Sequence, residues 1–125
     1  MEYKVTNDNE SGFFIVSTEG KMNAREFIQM AKAILSHPQW VPNGNVLFDH
    51  RRLDFDDVPL DDLDVIRCFH QQKEERIGKG RSAIVVKDGF VGKWFDLWSQ
   101  GEKIKTESNV KVFDSYDQAV LWVRE

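Results

Sequence analysis

Asp49-His50-Arg51-Arg52 is the densest run of chemically versatile side chains in this sequence. A carboxylate next to an imidazole could act as an acid/base pair, and Arg51 or Arg52 could hold an anion through a bidentate fork. The competing reading is a charged loop that keeps a sheet edge soluble and caps neighbouring helices. The sequence favours that reading, because no nucleophile with an adjacent base is legible. A second candidate is the aromatic series Phe90, Trp94 and Trp98 at i, i+4 and i+8, which falls on one side of a helix. Beside the basic Lys87 it could take an apolar ligand, a lipid or a partner protein. Its plainer reading is core between helix and sheet.

Gly78-Lys79-Gly80-Arg81-Ser82-Ala83 formally matches the G-x-G-x-x-A of dinucleotide sites. Those glycines must follow a strand and open a helix, so that the pyrophosphate rests on the helix N-terminus. Here they end a helical pattern and precede a strand, which points to a helix C-cap and a tight turn instead. His37, before Pro38, reads as a surface residue, and His70, on or beside an apolar helix face, as a packed one. The single cysteine, Cys68, has no internal disulfide partner and reads as packing. No pair of histidines, cysteines or carboxylates has metal-ligand spacing, so neither a metal nor another cofactor is expected.

The elements that must position these residues follow from composition and period. With 125 residues, 41% hydrophobic and 30% charged, the chain has the size and balance of a single globular domain spanning 1–125. No apolar run approaches the ~20 residues of a membrane span. The opening Met1-Glu2-Tyr3-Lys4-Val5-Thr6 has no apolar signal region, so a cytoplasmic protein is expected. A net charge of −4 gives no general footing for nucleic acid, which selects a basic excess or stripe.

Tyr3 to Thr6 and Phe13 to Thr18 are β-prone segments flanking the turn formers Asn7 to Gly12, so the chain should open as an antiparallel hairpin with Phe14 and Val16 on one face. Asn23 with Glu26 forms a capping box for a helix over about Ala24 to Ser36, which Pro38 stops. Val46-Leu47-Phe48 is a short strand, followed by a long charged connection from Asp49 to Asp57. Asp57 should cap a second helix with Pro59 in its first turn and Gly78 at its end. Ala83-Ile84-Val85-Val86 is a β-branched apolar run bounded by glycines, as a strand buried on both faces reads. The aromatic helix ends at Gly101. Val110 to Phe113 is a last strand, and Ser115 with Gln118 caps a final helix. The order is β-β-α-β-α-β-α-β-α: an α/β fold with a mixed, mostly parallel sheet behind an N-terminal hairpin, wound by right-handed crossovers.

That order resembles the SpoIIAA-like family of small bacterial STAS domains, a likeness carried by Gly78 to Val86, the aromatic helix after it, and Val110 to Val123. The resemblance covers nearly the whole chain. It implies a non-enzymatic module that signals through protein contacts, switched by phosphorylation of a serine at the start of the helix after the third strand. This chain has no serine or threonine between Asp49 and Arg81, and Asp56 and Asp57 supply negative charge near that point. Relatives described as STAS or Sec14-like would imply a bound apolar ligand. The expectation is therefore an interaction module meeting a protein partner or a second copy through Asp49 to Asp57, the second helix and the aromatic helix. The alternative is a carrier or sensor of a small apolar or anionic ligand, with Trp94 and Trp98 lining its apolar part and Arg51, Arg52 or Lys87 at its anionic end.

Overall fold

The structure, a computed structural model, describes residues 1–8, 12–98 and 109–125. The elements are β1 (Glu2–Asp8), β2 (Phe13–Lys21), α1 (Ala24–Leu35), β3 (Asn45–Asp54), α2 (Leu60–Gln72), α3 (Glu74–Ile77), β4 (Arg81–Val85), α4 (Val91–Trp98), β5 (Asn109–Phe113) and α5 (Tyr116–Arg124). The strands lie in the order β1-β2-β3-β4-β5, with β1 antiparallel to β2 and the other pairs parallel. This is the expected α/β fold with a mixed, mostly parallel sheet. Most of the hairpin turn, and the proposed stop at Gly101, lie outside the described residues. Among the described residues no helix is long and apolar enough to cross a membrane.

Strand order decides where the helices go. Each parallel connection steps to the next strand in the same direction, so right-handed crossovers place α1, α2 and α4 on one face of the sheet. Only α5, which follows the last strand, is free to cover the other. Two apolar clusters record this division. Phe14, Val16 and Val46 pack with Phe27, Met30, Ile34, Leu63, Ile66 and Trp94 on the three-helix face. Phe13, Leu47, Ala83 and Val85 pack with Ala119 and Val123 on the other. Phe14 and Val16 thus share a face, as the alternation of β2 predicts.

The helix caps follow local chemistry. Asn23 accepts the Glu26 backbone N–H at 2.9 Å as the N-cap, and its side-chain amide, rather than the backbone N–H of a full capping box, donates to the Glu26 carboxylate at 2.7 Å. Ser115 accepts the Gln118 N–H at 3.3 Å. Two expectations are corrected. The charged stretch after Phe48 is no connection: β3 runs on to Asp54, paired with β2 across a bulge, setting Arg52 opposite Glu19 and Asp54 opposite Lys21. These opposite-charge cross-strand pairs favour the ladder, and Leu53 supplies a buried anchor. Nor does Asp57 cap α2. It adopts a left-handed φ of 57°, and Pro59 stands at the cap without a side-chain bond. Asp62 of the first turn instead accepts the backbone N–H of Ala24 at 3.2 Å, fastening α2 to the start of α1.

The glycines before β4 serve a close approach of two loops. Gly78 ends α3 at φ 79°, and the Asn43 side chain accepts the Lys79 N–H at 2.7 Å. A Cβ on Gly80 would overlap the carbonyl oxygens of Asn43 and Gly44, whereas one on Gly92 in α4 meets nothing. The two positions should therefore respond with opposite sign. Gly80→Ala is expected to lower unfolding free energy by more than about 2 kcal/mol. Gly92→Ala is expected to raise it by up to about 1 kcal/mol. Urea denaturation of both variants checks this, and equal effects would refute the loop contact.

Candidate functional site

Along β3 successive side chains alternate between the faces of the sheet, and this separates the residues that look contiguous in sequence. Asp49 and Arg51 share one face. The Asp49 carboxylate accepts two hydrogen bonds from Arg51, both 2.8 Å, and the guanidinium lies 5.0 Å over the Tyr116 ring of α5. Partial burial would raise the Asp49 carboxyl, but the Arg51 hydrogen bonds outweigh it and hold the group below its ordinary value. His50 points the other way, into the three-helix face, so Asp49 and His50 cannot work as an acid/base pair.

His50 is 1% exposed. Its ring stacks on Trp94 at 5.3 Å and lies 5.5 Å from Phe48 and 5.9 Å from Phe27, while Nδ1 is 2.7 Å from the Thr18 hydroxyl. Burial pushes its pKa down from 6.5 to about 3, opposed by the Asp49 charge. The imidazole is therefore neutral at physiological pH and packs as an aromatic with one polar contact.

Above this floor the sheet and the helices do not close. A cavity of about 390 Å³ lies between α1, with Phe27, Met30, Ile34 and Leu35, and the strand residues Val46, Phe48, Ile84 and Val112. His50, Trp94 and Trp98 form one part of its wall, and Gly44, Gly78 and Gly80 another. Its polar members include Arg67, His70 and Glu74 along α2 and α3. Arg67 is buried, donates to Asp64 at 3.0 Å and to the Trp98 carbonyl at 2.5 Å, and lies 5.6 Å over the Trp98 ring. Burial lowers the His70 pKa as well, which favours its neutral form. Phe95 and Val110 also line the cavity, and at 58% and 52% exposed they bring it to the surface. Among the described residues no group of three His, Cys, Asp or Glu could hold a metal ion.

The structure thus gathers His50, Trp94 and Trp98 at one cavity and leaves the other candidates elsewhere. Asp49 and Arg51 face α5. Arg52 borders a shallow hollow beside Met1, Glu2, Glu19 and Gly20, and Asp57 is exposed. Lys87 is also exposed, its ammonium 5.2 Å over the Phe90 ring. Strand β4 is not sealed on both sides, since Ser82 and Ile84 face the cavity and are only half-buried. Cys68 is exposed rather than packed, and His37 is half-buried with its ring 5.0 Å from Phe14. Sequence reasoning missed Arg67, His70 and Glu74 as a set, although their row Leu63, Arg67, His70, Glu74 at i, i+4, i+7 and i+11 carries polar residues on a buried helix face.

The sequence matches no protein-family model and no curated protein. Among solved structures the chain is similar to an uncharacterized protein of the DUF3478 family with a SpoIIAA-like fold from Shewanella loihica PV-4. That similarity covers 98% of this chain and 92% of the other, with a TM-score of 0.61 at 16% identity. The fold is therefore the SpoIIAA-like one.

The depressed His50 pKa has a consequence for stability. The unfolded chain takes up a proton near pH 6.5 and the folded chain only near pH 3, so between these values acid favours unfolding, by about 1.4 kcal/mol per pH unit. From pH 6.5 to pH 5.0 the native chain should lose about 1.5 kcal/mol more than His50→Gln, as measured by urea denaturation. Parallel profiles for the two proteins would contradict the buried neutral imidazole.

Proposed function

We propose that this chain is a non-enzymatic regulatory module of the SpoIIAA-like fold whose signal is a small apolar molecule held between its sheet and helices α1, α2 and α4. The supporting observation is the cavity of about 390 Å³ with largely apolar walls, a size within the range of small-molecule sites. Burying a methylene gains ~0.8 kcal/mol, so an eight-carbon chain gains roughly 6 kcal/mol before the cost of association. Phe95, exposed on one side and lining the cavity on the other, would sense whether it is filled. The same exposure favours contact with a protein partner or a second copy at this edge.

The neutral fluorophore N-phenyl-1-naphthylamine tests the reading. Saturable fluorescence enhancement at one molecule per chain is expected, and Ile84→Trp, which fills the cavity from β4, should weaken it at least tenfold without lowering the melting temperature. Enhancement that does not saturate, or that is indifferent to Ile84→Trp, would sink the proposal. For the partner surface, sedimentation equilibrium of Phe95→Ser should show weaker self-association than the native chain; identical behaviour removes Phe95 from any self-contact.

A further inference from the structure

The polar groups of the cavity are unevenly satisfied and unevenly placed. The indole Nε1 of Trp98 is buried and has no hydrogen-bond partner. A buried donor without an acceptor costs as much as a lost hydrogen bond, so it marks a place where an acceptor belongs. Trp98 lines the cavity, and the guanidinium of Arg67 lies over its ring. Arg67 is 8% exposed, while Asp64, the carboxylate it meets among the described residues, is 48% exposed and shares its charge with solvent. The other charged lining residue, Glu74, stands seven positions further along, about 10 Å at the rise of a helix. His70 between them is held neutral by burial. The cavity is thus apolar along α1 and the strands, positive with a vacant donor at Trp98, and negative at the far end.

We infer that the occupant is a straight-chain monocarboxylate whose carboxylate accepts the Trp98 indole N–H beside the Arg67 guanidinium and whose hydrocarbon chain lies between α1 and the sheet. This rests on the cavity being a ligand site and adds the chemistry of the ligand's head. A neutral alcohol would satisfy the indole N–H but gain nothing from Arg67. A carboxylate at the opposite end would face Glu74.

Isothermal titration with decanoate and decan-1-ol, which share a chain length and differ in the head, separates the two levels of the argument. Decanoate should bind roughly tenfold to a hundredfold more tightly than decan-1-ol, the range of a charge-assisted hydrogen bond. Each two-carbon extension from octanoate to decanoate should tighten binding by about an order of magnitude, from ~0.8 kcal/mol per methylene. Trp98→Phe keeps the ring and removes the donor, and Arg67→Gln removes the charge. Either should lose most of the preference for decanoate while leaving decan-1-ol affinity within about twofold, which also reports that the cavity is intact. Equal binding of the two ligands, or an unchanged preference in both variants, would overturn the carboxylate assignment and leave the apolar site standing. No binding of either ligand, together with no saturable N-phenyl-1-naphthylamine signal, would overturn both.

Discussion

The handedness of parallel crossovers shapes this protein more than any single contact. Because the strands follow one another across the sheet in chain order, every crossover falls on the same face, and α1, α2 and α4 must share it. On that shared face the helices leave a cavity over Ile84 and Val112, lined by α1, α2 and α4. The other face has α5 alone, and there Ala83, Val85, Ala119 and Val123 close fully. An open and a closed side are thus consequences of strand order, with the glycines at Gly78 and Gly80 allowing the α3–β4 loop to lie against Asn43.

The plane of the sheet also divides the chemistry. Asp49 and His50 are covalent neighbours, yet one is in a surface ion pair with Arg51 and the other stands beneath aromatic rings. Water keeps the first pair charged at little gain in stability. The absence of water keeps the second group neutral, and Trp94 then uses it as a stacking partner. Trp94 is buried against His50 and lines the cavity as well, while Trp98, one turn on, lines the same cavity with its indole nitrogen unsatisfied. One aromatic stripe therefore serves the core and the cavity together.

Features that depend on a few neighbouring residues were legible from the sequence. The Asn23 and Ser115 caps, the C-terminal role of Gly78, the helical spacing of Phe90, Trp94 and Trp98, and the alternation of Phe14 and Val16 are all set within about one turn or one pleat. The α/β order and the mostly parallel sheet followed from them, and the resemblance to the SpoIIAA-like family added the particular fold. The end of β3 did not, because it depends on backbone pairing with a strand far away in sequence, which sets Arg52 opposite Glu19 and Asp54 opposite Lys21. Asp57 likewise has the side chain of a cap, but its left-handed backbone and the proline two residues on take it out of reach.

What the sequence alone determined, then, was the strands and the main helices and their order, though not the break of the second helix into α2 and α3 at Lys73, since propensity, capping and period are local energies. Tertiary structure alone decided which of the candidate residues share a site. It split Asp49-His50-Arg51-Arg52 between two faces and a rim, and brought Arg67 and His70 into the same wall as His50 and Trp98. The physical reason is that a cavity is a difference between volumes contributed by α1, α2, α4 and three strands. No local stretch of chain carries that difference, so it exists only once the helices have been placed on the sheet.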